Sequence, residues 1–310
     1  MTYKKTQYHR AESLINTAQI FYADPGSGVF RGRRYPFILQ DGKNNIFGPI
    51  FEDTLAYFSH NAISWWGGTK PTNHTLSSQI ACLNHLFPFR HDYDAVLAIA
   101  RRVSPEIQEV LPIATDKYDP GYIQFEAVSD YDHLNENSST RGSNCTSVDA
   151  LIYAKRSNGQ LIILPIEWKY VEAYGNDNKA NGSQGITRKA RYTDLIQKSG
   201  QLSSSKMDVY YFEPFYQLMR QTLWAEQMIE SKDSETISAQ EYLHVHVIPN
   251  ENHDLLRKTY PCTGKGMEDS WRSCIEDQSK YLIISPMELL SQVDSTKYSD
   301  LIQYLNTRYW

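Results

Sequence analysis

The stretch SVDALIYAKRSNGQLIILPIEWKY (147–170) decides the fold. It reads as strand, tight turn, strand. Ser157-Asn158-Gly159 reads as a three-residue hairpin loop, with Gly159 in the left-handed position beside a bulge. Arg156 then faces Gln160, and counting outward sets Asp149 opposite Glu167. Lys169, two residues on, points the same way as Glu167. A two-residue Asn-Gly turn would set Asp149 opposite Trp168 and split the three polar groups between faces. A shared face therefore requires the three-residue loop, or one bulge near Pro165.

Both faces of this hairpin are apolar, through Leu151, Tyr153, Ile162, Ile163, Leu164 and Ile166. Strands of that kind are covered on both sides. Two carboxylates and a lysine placed there are costly unless something binds them. A divalent cation offsets the repulsion, and Mg²⁺ takes oxygen ligands while keeping several waters. Lys169 can then hold or help deprotonate an attacking water and offset developing charge. An ordinary Glu–Lys ion pair with a separate Asp on a solvated face has the same spacing, so the residues alone leave both readings open.

At 310 residues the chain can bury a large core in one domain or two. The net charge of -5 argues against a broad electrostatic coating of nucleic acid, so phosphate binding needs a local basic groove or a metal. The 22 Tyr and 6 Trp serve cores, interfaces and base stacking alike. No apolar run approaches a membrane span, and the N-terminus lacks the apolar core of a signal peptide. Cys82, Cys145, Cys262 and Cys274 are scattered, with neither zinc spacing nor a disulfide framework, which makes a reducing cytoplasm the default location.

Elsewhere, 7–23 and 47–60 read as helices, and Arg31-Gly32-Arg33-Arg34 as a basic loop without phosphate-loop context. Thr75–Phe87 is a helix capped by Ser77 or Ser78, and Gln79 and Asn84 are polar groups on it. Gly121–Val128 alternates as a strand, with Glu126 on one side. Asp130–Cys145 reads as a polar link. A Gly/Asn-rich loop, 175–185, leaves the hairpin, and 186–198 is a helix with Arg188, Lys189 and Arg191 near its start. Met207–Phe212 reads as a strand, and Pro214 as the first residue of a helix through Glu230. His244 and His246 share a face of a strand at 242–248, with no carboxylate pattern to complete a metal site. A strand at 281–284 and a closing helix at 297–309 follow.

The element order, with VD (148–149) on one strand and EWK (167–169) on the next, resembles the PD-(D/E)XK nuclease superfamily. The runs SSQIACLNHLFP (77–88), RGSNCTSVDALI (141–152), IEWKYVEAY (166–174) and YQLMRQTLWAEQM (216–228) are similar to a bacterial family of restriction-endonuclease-like proteins. The resemblance covers about residues 10 to 290. It implies an α/β fold: a restriction-endonuclease-like core with a mixed four- to five-stranded sheet flanked by helices. It implies one domain over 1–310, with a core near 75–230 and additional N- and C-terminal elements.

In such nucleases the Asp and the Glu of the ExK element bind Mg²⁺, and the Lys supports the attacking water. Carried over, those are Asp149, Glu167 and Lys169. An added polar residue from the preceding helix matches Gln79, and Glu126 is a further metal-ligand candidate. Val148 stands where the motif name has Pro, a position that commonly varies. Arg141, Gln184, Arg188, Arg191, Tyr192, Gln217 and Gln221 are candidates for the substrate groove or for bracing the ligands. The implied activity is metal-dependent endonucleolytic hydrolysis of phosphodiester bonds, with Mn²⁺ substituting for Mg²⁺. Duplex DNA is the first expected partner, a homodimer stays open, and defence against foreign DNA is the implied context. A catalytically silent nucleic-acid-binding or scaffold protein, or a nuclease acting on RNA or repair intermediates, are the rivals. Replacing Lys169 with Ala is expected to remove cleavage and leave folding nearly intact.

Overall fold

The computed structural model describes residues 1–17, 19–137 and 145–310. Arg141 lies outside them. Helix α1 (Tyr3–Thr17) leads to a small hairpin of β1 (Val29–Phe30) and β2 (Arg33–Arg34), then to α2 (Phe51–His60). Helix α3 (Ser78–Leu86) starts where the Ser77 side chain accepts from the Ile80 N–H at 3.3 Å. Helix α4 (Tyr93–Val103) is capped by Asp92, which accepts from the amides of Asp94 and Ala95. Each cap satisfies a backbone donor that the first helical turn leaves over.

The main sheet starts with β3 (Ile107–Leu111), β4 (Ile123–Ala127), β5 (Val148–Arg156) and β6 (Leu161–Trp168). Helices α5 (Gly182–Lys198) and α6 (Phe215–Glu230) follow. Strands β7 (Glu241–Tyr242), β8 (His244–Val247) and β9 (Tyr281–Ile284) then return to the sheet, and α10 (Ser299–Arg308) closes the chain. Short helices α7 (His253–Leu256), α8 (Met267–Arg272) and α9 (Pro286–Leu289) lie among these last elements.

The sheet runs β3-β5-β6-β8-β9, with β4 also paired to β5 and β7 to β6. Strands β3, β4 and β6 pair antiparallel to β5. Strands β7 and β8 run parallel to β6, and β9 parallel to β8. The sheet is therefore mixed, and helices cover both faces. One face packs Ala150, Ile152, Leu164 and Ile166 in a core with α3 and α4, which α10 also joins. The other packs Leu151 and Ile163 against α5 and α6.

The hairpin closes by the three-residue loop. The Arg156 N–H donates to Gln160 O, the Gly159 N–H donates to Arg156 O, and Gly159 has φ +86°. Two differences from the sequence reading stand out. Ile107–Leu111, left unassigned by the sequence reading, is a strand. Met207–Phe212, read as a strand, is a run of 3₁₀ turns at 204–206 and 209–211. Val209, Tyr210 and Tyr211 are all buried in succession, and the Tyr210 hydroxyl donates to Cys274 O at 2.6 Å. The Phe212 N–H donates to Val209 O at 3.1 Å, a turn bond within the segment in place of a sheet ladder.

Candidate active site

The Ala150–Ile166 pairing carries Asp149 across from Glu167. On the other side of β5, the pairs Phe125–Ala150 and Ala127–Val148 carry Glu126 across from Asp149. Glu126, Asp149 and Glu167 thus form one row over three adjacent strands. Glu126 has φ +48°, a left-handed conformation uncommon for a residue with a side chain. Phe125 and Ala127, two apart, consequently pack into the cores on opposite sides of the sheet. The strand turns over at Glu126, and that local strain marks the end of the regular ladder.

Each carboxylate has its own holder. Gln79 Nε2 donates to Glu126 Oε1 at 2.7 Å, and Ser147 Oγ donates to Glu126 Oε2 at 3.3 Å. The Trp168 N–H donates to Asp149 Oδ2 at 2.7 Å. Lys169 Nζ donates to Glu167 Oε1 at 2.5 Å and to Gln217 Oε1 at 2.5 Å. Gln221 Nε2 donates to Glu167 Oε2. That orientation of the amide leaves its oxygen to accept from His244 Nε2 at 3.1 Å. Gln221, a candidate for bracing the ligands, thus supports Glu167, and His244 supports Gln221, a link invisible in sequence because the two lie on separate elements.

Burial, then Glu167, then Glu126 push the Asp149 carboxyl well above the usual range, against the smaller effects of Lys169 and the Trp168 N–H. Burial works against the charge on Lys169, but Glu167, Tyr174, Glu172 and Asp149 outweigh it and hold the ammonium well above its usual value. Lys169 is thus a fixed cation, suited to orient a group and offset charge rather than to accept a proton. His244 and His246 go the other way. Burial and Lys169 push His244 down to about 3 and His246 well below its usual value.

A cavity of about 410 Å³ opens over the row, lined by Gln79, Glu126, Asp149, Glu172, Tyr174 and Trp66, among others. Glu167 and Lys169, 2% and 5% exposed, are not among its lining residues. The cavity thus opens on the Glu126 and Asp149 part of the row, and Glu167 and Lys169 lie behind it. Gln217 and Gln221 hold these two residues and do not form a groove wall. Tyr192 is 1% exposed and its hydroxyl donates to Glu136, which also accepts from Arg220 Nη2 at 2.9 Å. Tyr192, a candidate for the groove or for bracing the ligands, is therefore a buried brace of Glu136 and does not line this cavity. Gln184 is exposed on α5 and accepts from Arg188 Nη2 at 3.0 Å, and Arg191 reaches Glu136 O at 3.4 Å. None of these three lines the cavity.

Glu136, the centre of this cluster with Arg220 and Tyr192, falls in the stretch read as a polar link. Nothing local marks it, since its partners are 84 and 56 residues away. Among the described residues, no group of three or more His, Cys, Asp or Glu side chains is disposed to hold a metal ion. No described helix is long and apolar enough to cross a membrane.

A mixed sheet covered by helices, with a D…ExK pair facing across its central hairpin, defines a restriction-endonuclease-like protein of the PD-(D/E)XK class. Residues 7–310 match the family described as Restriction Endonuclease associating with ARP, and the chain belongs to that family. This membership supports a nuclease-type function. No curated protein and no solved structure matches the chain.

Proposed function

We propose that the chain is an endonuclease that hydrolyses phosphodiester bonds in DNA with Mg²⁺, Mn²⁺ being able to substitute. The carrying observation is the row Glu126–Asp149–Glu167, in which burial and like charge push the Asp149 carboxyl upward. An arrangement that raises the free energy of its own carboxylates is relieved by a cation among them. Three convergent side chains are not required, because Mg²⁺ is commonly held by one or two carboxylates, waters and substrate phosphates. Asp149 and Glu167 are the assigned ligands, with Glu126 beside them. Each oxygen of Glu167 already accepts one hydrogen bond, yet a carboxylate offers about four lone-pair sites.

When bound there, Mg²⁺ supplies charge stabilisation at a phosphate oxygen and a more acidic water. The chain's own residues do the positioning. Lys169 holds Glu167 and keeps a cation beside the reacting region. Gln221 and Gln217 fix that pair, and Gln79 fixes Glu126. A preorganised set of this kind needs little rearrangement as charge develops.

The family's name pairs its members with a partner designated ARP, and association with such a partner is part of this proposal, as is a role in defence against foreign DNA. The test is incubation of supercoiled plasmid, linear duplex, single-stranded DNA and RNA with Mg²⁺, Mn²⁺ or chelator, beside Glu167→Ala. Metal-dependent cutting of DNA that the variant loses supports the proposal. Cutting of RNA alone redirects it. Binding without cutting favours the silent nucleic-acid-binding reading.

A further inference from the structure

Strands β1 and β2 are joined by Arg31 and Gly32, both with positive φ, 49° and 78°. A two-residue loop with two left-handed residues prefers Asn-Gly or Gly-Gly. An arginine held in that conformation is strained, and such strain points to a task for its side chain. The Arg31 guanidinium lies 5.4 Å from the centre of the Phe30 ring. Phe30 in turn stacks on Trp66, with ring centres 5.3 Å apart and planes 28° apart. His74 meets both rings edge-on, at 4.8 and 5.5 Å.

Trp66 is held by these rings yet remains 42% exposed. Its backbone N–H donates to Gln79 Oε1 at 2.9 Å, and the same amide side chain donates to Glu126. One side chain therefore links the aromatic platform to the carboxylate row. Trp66 also walls both the cavity at Asp149 and a neighbouring groove of about 1050 Å³. In that groove Arg31, Lys43 and Lys70 stand against a single carboxylate, Asp41. The cationic excess is local, because the whole chain carries a net charge of -5.

We infer that this platform docks nucleic acid with unpaired nucleotides. A base stacks on Trp66, and Arg31, Lys43 and Lys70 hold the phosphate backbone beside the Asp149 cavity. A paired duplex keeps its base faces stacked on one another, whereas a single strand offers them to an exposed ring. The inference rests on nucleic acid being the substrate and narrows it to strands with unpaired bases. It does not rest on cleavage.

The experiment measures binding of the intact chain in chelator to a labelled single-stranded oligonucleotide containing 2-aminopurine, and to the same strand annealed to its complement. The wild type binds the single strand more tightly and alters the 2-aminopurine emission. Trp66→Ala weakens that binding about 5- to 150-fold and loses the emission change, while Trp66→Phe retains most of both. Arg31→Asn suits the turn, so the hairpin persists, and it reduces the salt dependence of binding. Tyr131→Ala, an exposed ring elsewhere, has no effect.

Preferential duplex binding, an unchanged Trp66→Ala variant, or no binding of either form overturns the inference. If Trp66→Ala fails to fold, an unchanged Arg31→Asn and a Trp66→Phe without the emission change overturn it equally. Binding with the expected signatures but no metal-dependent cutting leaves the platform standing and removes the nuclease reading. Cutting by a wild type that shows none of these signatures does the reverse.

Discussion

The Trp168 N–H donates to Asp149 Oδ2 at 2.7 Å, so the strand that carries Glu167 also fixes the carboxylate facing it. This single backbone bond sets the spacing of two like charges that burial makes costly. Asp149→Asn keeps an acceptor for that N–H and removes the repulsion. Without metal, the variant is expected to be more stable than the wild type by about 1 kcal/mol or more. Mg²⁺ raises the melting temperature of the wild type and not of the variant. Calorimetry with chelator and with Mg²⁺ decides the matter, and equal metal responses would remove Asp149 from the ligand set.

Lys169 is less separable from folding than its motif position suggests. It is buried and paired with Glu167 and Gln217. Lys169→Ala leaves Glu167 buried beside a cavity, a change that costs about 3 to 5 kcal/mol. Adding Glu167→Gln in the same chain recovers part of that loss, since the unpaired charge is gone. Urea unfolding of the two single variants and the double variant measures the coupling. A Lys169→Ala chain as stable as the wild type would show that the ion pair contributes nothing to the fold.

What was readable in advance was local. Ser157-Asn158-Gly159 carries its turn chemistry in its own residues, and the alternation on either side makes the register of Asp149 and Glu167 countable. Ser77 announces the start of α3 in the same way. The misses depend on partners far away in the chain. Ile107–Leu111 becomes a strand because the far half of β5 offers it an edge. Val209–Tyr211, rich in strand-forming residues, has no such edge and folds into a buried turn. The left-handed Glu126 leaves no trace in composition, because the residue is neither Gly nor Asn. His244 shows an alternating strand in sequence but not the amide that it meets on α6.

His85 makes the protein acid-sensitive. It lies against Trp168, Tyr309 and Trp310, and its Nδ1 bonds to Ala81 O at 2.7 Å. Burial pushes it down to about 3. The unfolded chain protonates this group near its ordinary value of 6.5, while the folded chain keeps it neutral. Its contribution to stability is therefore complete above 6.5 and lost as pH falls toward 3, by about 1.4 kcal/mol per pH unit. His74 and His244 shift in the same direction, so the comparison must be with a variant. His85→Leu is expected to flatten the fall between neutral pH and pH 4. Parallel stability curves for the two proteins would place the sensitivity elsewhere.

Gln221 holds Glu167 on one side and His244 on the other. Gln221→Leu has a similar size but leaves a buried carboxylate oxygen and an imidazole N–H without partners. Each such loss destabilises by about 1 to 3 kcal/mol. The larger consequence is for Glu167, which becomes free to swing away from Asp149. A residue that orients a metal ligand typically matters 10- to 100-fold in metal affinity or activity. The expected signature is a higher Mg²⁺ concentration at half-maximal cleavage, with oligonucleotide binding in chelator unchanged. His244→Ala, acting only through Gln221, should shift the metal requirement in the same direction and by less. A Gln221→Leu enzyme with wild-type Mg²⁺ dependence would show that Glu167 keeps its place without this support.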